Sequence, residues 1–371
     1  MSYSERREKV YAWMETEGIN LVMLQDNEDR RDSAVRWLSG HPADAVLFLS
    51  SDRKALLVPW DINMAQLYAS CDMLIPFTAY SLDPVNALLD ATYNLKTPAG
   101  GKIEISSVTS YPDFLRYVEK ISDYDIICRK DGIKPEIDRL RMIKDDDEIR
   151  VYRALSVFTN QVMDDVEKNV REGVLRTEVD VAIFIEYTVR QQGCDGTGFP
   201  TLAAGPGRSF GIHAFPTYTS APFAGPGLSI LDFGLVMHGY TTDVTMTFAR
   251  EPLSARQEKN LGLVIKAYDL ALSKVKDGVL CRTIAQAVDM FFKKSRRSMP
   301  HGLGHGIGLQ PHEAPFLRSR ADNEWHLAPG MIFTIEPGLY DPVEGGCRFE
   351  NDVLLTENGP EVLTESRIVR M

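Results

Sequence analysis

The sequence predicts an α/β protein of two domains, and three observations carry that expectation. The chain has 371 residues, more than a single hydrophobic core usually organises. Its first third alternates apolar runs, AVLFLS (45 to 50) and KALLVP (54 to 59), with amphipathic stretches such as REKVYAWMETEG (7 to 18), the texture of strands flanked by helices. The remainder carries a loose helix, helix, strand, strand order that occurs twice.

Taken in order, the first domain is expected over residues 1–132 and the second over 139–371. Between them CRKDGIKPEIDRLRMIKDDDEIR (128 to 150) is polar, contains a Gly and a Pro, and ends in an acidic run, which reads as a linker that caps a long helix. Ile149, Leu155, Phe158, Val162 and Val166 then recur at roughly helical spacing, and a second such stretch runs from Leu175 to about Gln192. From about Gly198 to Arg250 the composition shifts to Gly, Pro, Thr and short β-branched runs. LSILDFG and TTDVTMTFA are strand candidates there, joined by a turn around His238 and Gly239. Helices follow near 255 to 277 and 282 to 296, then the β-rich segments GMIFTIEPGLY and CRFENDVLLTENG.

Composition excludes several classes. A hydrophobic share of 44% with 25% charged residues is ordinary for a folded globular chain. The first residues lack an apolar core followed by small residues, and no segment approaches ~18 apolar residues in a row, so neither export nor membrane insertion is expected and the cytoplasm is. Five cysteines, Cys71, Cys128, Cys194, Cys281 and Cys347, are widely spaced with no CxxC, which points to free thiols. A net charge of −11 offers no basic field for nucleic acid.

Three clusters carry chemistry. In LDFGLVMHGYTTDVTMTF, Asp232 and Asp243 would lie side by side on one face if their strands form an antiparallel hairpin, and two neighbouring carboxylates on an apolar sheet repel unless a cation lies between them. Taken singly, Asp232 could cap a turn before Gly234 and Asp243 could be a solvated edge residue. The DFG triplet lacks the glycine-rich loop and catalytic-loop motif of a protein kinase. The segment PHGLGHGIGLQPHE (300 to 313) packs His301, His305 and His312 among glycines, where small residues let side chains approach a shared centre. Glu336 in FTIEPG and Glu350 in CRFEND sit in β-type runs, unusual for glutamate, with Arg348 the one evident charge partner nearby.

Asp232, Asp243, His305, Glu336 and Glu350 together offer four carboxylates and one imidazole. That set suits divalent Mn, Co, Fe or Zn rather than a thiolate-preferring ion. Four negative charges would balance two such ions, and two ions about 3.5 to 4 Å apart can share a hydroxide and polarise a carbonyl.

These segments, in this order from about Arg139 to the C-terminus, resemble the pita-bread metallopeptidase family of methionine aminopeptidase, aminopeptidase P and prolidase. The resemblance implies a pita-bread α+β catalytic domain of pseudo-two-fold character, preceded by a creatinase-type α/β domain. It implies that Asp232 holds one metal ion, His305 and Glu336 the other, and that Asp243 and Glu350 bridge both, with manganese favoured. His213 in GIHAFPT and His312 match the family's substrate-side histidines, and Glu336 would also shuttle the proton. His301 and Arg348 become candidates for substrate contact, while His41, His238 and His326 are expected in structural or surface roles. Met246 and Pro311 depart from the family pattern, which touches substrate preference rather than metal binding.

The N-terminal domain separates this chain from typical methionine aminopeptidases. The resemblance therefore implies hydrolysis of Xaa-Pro bonds by a dipeptidase of prolidase type, or by an aminopeptidase acting on longer peptides, in a homodimer whose N-terminal domain closes over a partner's site. A creatinase-like C–N hydrolase without metal and an inactive binding module are the alternatives; both are disfavoured by retention of all five ligand positions.

Overall fold

The computed structural model describes residues 1–371, which divide into two units, Met1–Arg141 and Met142–Met371. The boundary falls later than the sequence expectation of 132–139. Residues read as linker include a helix of the first unit, Ile133–Arg141, because the buried carboxylate of Glu104 accepts the Ile133 amide at 3.2 Å and Ile133 and Ile137 are buried there.

In the first unit the order is α1 (Tyr3–Glu17), β1 (Leu21–Asp26), α2 (Ser33–Ser39), β2 (Ala45–Ser50), β3 (Ala55–Pro59), α3 (Ile62–Tyr68), β4 (Met73–Leu74), α4 (Pro84–Asn94), β5 (Lys102–Ile105), α5 (Tyr111–Lys120), β6 (Asp125–Ile127) and α6 (Ile133–Arg141). The strands form one mixed sheet, β4-β3-β2-β1-β5-β6. Strands β2 and β3 are buried along their whole length, which explains why they read as unbroken apolar runs rather than as alternation. His41 is buried in this unit.

The second unit opens with α7 (Asp146–Arg171) and α8 (Glu178–Gln191). The acidic run before α7 supplies a capping box: Asp145 accepts from the Glu148 amide and the Glu148 carboxylate accepts from the Asp145 amide. Then come β7 (Gly196–Thr197), β8 (Leu202–Ala204), β9 (Gly227–Phe233), β10 (Leu235–Met237), β11 (Tyr240–Thr241) and β12 (Val244–Arg250). A second helix pair, α9 (Ala255–Leu272) and α10 (Cys281–Lys294), precedes β13 (Gly304–Gly306), β14 (Glu313–Leu317), β15 (Ile332–Ile335), β16 (Gly338–Asp341), β17 (Gly345–Arg348), β18 (Asn351–Thr356), β19 (Gly359–Val362) and β20 (Ile368–Arg370). Two helix pairs, each followed by strands, are the repeated order seen in the sequence, and no helix is long and apolar enough to cross a membrane.

Each helix pair packs on a sheet. Leu155, Val162 and Val166 of α7 and Val181, Ile185 and Val189 of α8 share a core with Leu231, Phe233, Val244, Met246 and Phe248, while α9 and α10 cover Phe333, Ile335, Val353 and Leu355. Each fully buried side chain of this size contributes about 1.5–3 kcal/mol. Strands β9 and β12 pair antiparallel with Asp232 opposite Thr245. Since side chains alternate, sending Leu231, Phe233, Val244, Met246 and Phe248 to the helices turns Asp232, Thr245 and Thr247 to the opposite face. Met246 therefore points away from Asp232. The expected single hairpin is interrupted: β10 and β11 intervene, turned at exposed His238 and Gly239, both at positive φ. His326 is exposed and bridges Leu280 through its main chain.

Candidate metal centre

On that opposite face a cavity of about 340 Å³ is lined by Asp232, Asp243, His305, Glu336 and Glu350, and also by His213, His301, His312 and Arg348. All nine positions singled out in the sequence meet here. Met246 and Pro311 are not part of the wall.

Most of the donors sit where regular structure breaks. Asp243 lies just before β12, Glu336 just after β15, and Glu350 between β17 and β18, bridged only to Thr245. The expectation that these three sit within strands is corrected accordingly: a regular strand would send successive carboxylates to alternate faces, whereas a break lets each turn inward. His305 lies in β13, where the register with β14 shifts between His305 and Gly306. Its neighbours must be glycines, since a Cβ on Gly304 would lie 2.0 Å from the Thr334 carbonyl oxygen and one on Gly306 2.1 Å from that of Ala314.

Three overlapping groups of donor atoms lie within 4.8 Å of one another: Asp232, Asp243 and Glu350; His305, Glu336 and Glu350; and Asp243, His305 and His312. The His305 Nδ1–H donates to the Gly306 carbonyl at 3.2 Å, leaving the Nε2 lone pair directed at Asp243 Oδ2 (3.7 Å) and Glu336 Oε1 (3.6 Å). Those separations are too long for hydrogen bonds and match two donors that share an ion about 2.1 Å from each. Asp232 Oδ1 is buried without a hydrogen-bond partner. An orphaned buried carboxylate oxygen beside further carboxylates fits a divalent cation, and the residues present suit such an ion.

The electrostatics agree. Burial, then the neighbouring carboxylates, pushes the Glu350 carboxyl up to about 7 and raises those of Asp243 and Glu336 well above the usual range. Burial pushes His305 down to about 3 and His301 to about 4, and lowers His312, so the imidazoles are neutral and able to ligate or donate. Crowded carboxyls that hold their protons this strongly are the expected state of a cluster whose repulsion a cation would otherwise relieve.

Arg348 was expected to meet substrate; its guanidinium is instead occupied within the protein. It is 1% exposed and donates to the Asp232 carboxylate, to Thr245 Oγ1 (2.8 Å), to the Ile212 carbonyl (3.1 Å) and to the Tyr340 hydroxyl (2.9 Å). Thr245 passes this on by donating to Glu350 Oε2 at 2.6 Å. Tyr340 reaches His301 Nε2 at 3.0 Å, while His301 Nδ1 meets the Gly302 carbonyl at 2.8 Å. The Asp243 amide donates to the fully buried Asp352 carboxylate at 3.2 Å. Thr245, Tyr340 and Asp352 escaped the sequence reading. Thr245 alone left a signal, standing two residues past Asp243 and so on the same strand face.

The lining also includes the apolar side chains of Phe199, Pro200, Leu202 and Ile212, together with Arg318. His213 and His312 are exposed to the cavity.

Known proteins resemble this chain in sequence and fold. A Bacillus subtilis (strain 168) protein provisionally named a dipeptidase is 33% identical over 231 residues, covering 62% of this chain and 62% of its own length. The fold matches the X-Pro aminopeptidase of Thermotoga maritima MSB8 at a TM-score of 0.84 and 25% identity, over 98% of this chain and 99% of that one. It matches the recombinant prolidase of Thermococcus sibiricus equally, at 0.84 and 25% over the whole of both chains. The profile of metallopeptidase family M24 matches residues 150–357, which hold every candidate ligand, and the chain belongs to that family.

Proposed function

We propose that this protein hydrolyses Xaa-Pro peptide bonds as a dinuclear metallopeptidase, an Xaa-Pro dipeptidase of prolidase type. The observation that supports the reading is the sharing of Asp243, His305 and Glu350 among three overlapping donor groups, as two adjoining ions would require. In this reading Asp232 would hold one ion and His305 with Glu336 the other, and Asp243 and Glu350 would serve both.

Two divalent ions bound here supply a water acidic enough to ionise near neutral pH and positive charge beside the carbonyl oxygen. The chain does the rest. Glu336, at the cavity edge of the cluster, accepts the proton of the attacking water and delivers it to the leaving nitrogen. His213 and His312 both line the cavity, His312 within 4.8 Å of the Asp243 and His305 donors, and an imidazole N–H there donates to the developing oxyanion or the leaving amine. Phe199, Pro200, Leu202 and Ile212 give an apolar wall on which a prolyl ring loses its water. Arg318 makes no ion pair, its guanidinium lying 4.3 Å over the Phe316 ring at the cavity wall, and it can meet the free carboxylate of a dipeptide. Manganese, a homodimer and a cytoplasmic setting complete the proposal.

The similarity to an X-Pro aminopeptidase keeps a second reading, an aminopeptidase on longer peptides. The test is to strip the protein of metal, restore Mn²⁺ or Co²⁺, and present Ala-Pro and Gly-Pro beside an Xaa-Pro-Xaa tripeptide. Cleavage of the dipeptides is expected. Cleavage of the tripeptide alone makes it an aminopeptidase, and cleavage of none refutes the Xaa-Pro assignment.

A further inference from the structure

We propose that Lys144 is a positioning residue for His312, acting through a buried ion pair with Glu313; the inference rests on the assignment of His312 to the chemistry. The Lys144 side chain is 1% exposed and that of Glu313 6%, with Nζ 2.9 Å from Oε1. The lysine is itself fixed: its amide donates to the Gly330 carbonyl at 2.8 Å, and its neighbour Ile143 bridges Met331. The ammonium group therefore projects from a pinned backbone rather than from a mobile one.

Glu313 directly follows His312, and side chains alternate as the chain enters β14. Anchoring the carboxylate inward on Lys144 turns the imidazole outward to the cavity. No hydrogen bond holds the His312 ring; its one close ring contact is His305, centroid to centroid 4.2 Å. Its placement is set by its backbone, and that backbone is set by Glu313. The segment before it has no slack to compensate. Gly308 donates to the Gln310 carbonyl at 3.1 Å and accepts the Thr241 amide at 3.0 Å, and a Cβ on Gly308 would lie 1.9 Å from Glu313 Oε1. A buried ion pair adds little net stability over apolar residues of equal volume, but it fixes geometry from both ends. Its location one residue from a ring with no anchor of its own gives that geometry a purpose.

The test compares Lys144→Met, the charge-free pair Lys144→Met with Glu313→Met, and His312→Ala, all fully metal-loaded. With whichever peptide the wild type cleaves, Lys144→Met should lower kcat about 10- to 100-fold, the scale of an ångström misplacement, with KM and metal content held. The charge-free pair should regain thermal stability without regaining kcat. On a His312→Ala background, Lys144→Met should cost nothing more. An equal loss in both backgrounds, or wild-type kcat in the charge-free pair, overturns the proposal. Histidine-labelled, Zn²⁺-loaded protein gives a reading independent of activity: the His312 ring signals should move in Lys144→Met and those of His305 should not. If the wild type cleaves no Xaa-Pro peptide, the substrate assignment fails while this spectrum still decides the role of Lys144; unmoved His312 signals refute it.

Discussion

Replacing Glu350 by glutamine removes a candidate ligand, yet it should make the metal-free protein more stable. In the folded chain burial, with Asp232 next, lifts this carboxyl from the ordinary 4.5 to about 7, the figure already including the opposing effect of Arg348. The unfolded chain releases the proton at lower pH than the folded one. Folding is therefore unpenalised below 4.5 and increasingly penalised as pH rises to 7, after which the cost is constant. At about 1.4 kcal/mol for each pH unit between the two values, the plateau is about 3 kcal/mol. Glutamine does not titrate, keeps the shape, and offers an oxygen to the Thr245 hydroxyl that now donates at 2.6 Å.

Metal-free Glu350→Gln should thus melt above metal-free wild type by about 6 to 12 °C at pH 8, at about 2–4 °C per kcal/mol for a unit of this size. The gap should close near pH 4.5. Differential scanning calorimetry on chelator-treated protein measures it. With Mn²⁺ added the order should reverse, since ligand binding at a thousandfold excess over Kd adds about 4 kcal/mol to wild type and the variant forfeits a donor. A variant no more stable than wild type at pH 8 without metal, or equally favoured at both pH values, refutes the crowding of carboxylates described above.

The histidines respond with the opposite sign. Held at about 4 and about 3, against 6.5 when unfolded, His301 and His305 contribute stability that is complete above pH 6.5 and lost as pH falls below it. The carboxylates act oppositely over the same range, so the histidine contribution is read from a difference: the metal-free melting temperature of wild type minus that of His301→Gln should fall as pH drops from 6.5 toward 4. Arg348→Met should cost about 3–5 kcal/mol by leaving Asp232 buried without its cation; circular dichroism melts should show much of the loss restored by divalent metal, and no restoration would mean that the guanidinium does not stand in for positive charge at the ligands.

The donors were legible because chemistry constrains residue type more tightly than it constrains backbone. Glutamate in a β-type run and three histidines threaded by glycines are each unusual in a stable strand or loop, and Glu336, Glu350 and His305 announced themselves that way. Period-two alternation also carried Asp232 to the right face, since Leu231 and Phe233 on either side belong to the helix-packed core. The reading of 128 to 150 as linker failed for the complementary reason. Helix α6 buries few apolar residues, and its first turn depends on Glu104, which lies 29 positions earlier in the chain and left no mark in the local pattern.

Arg348 shows where local sequence stops informing function. Beside Glu350, in an expected metalloenzyme, a cation reads as a group for the substrate's carboxylate, yet its donors go to Asp232, Thr245, the Ile212 carbonyl and Tyr340, residues 116, 103, 136 and 8 positions away. No spacing rule reports such partners. The same holds for Lys144 and Glu313, 169 positions apart. What separates a binding cation from a structural one is how much of its hydrogen-bonding capacity the fold has already used. By that measure Arg348 is committed, whereas Arg318, which lies over Phe316 and makes no ion pair, is the cation proposed above to meet a ligand.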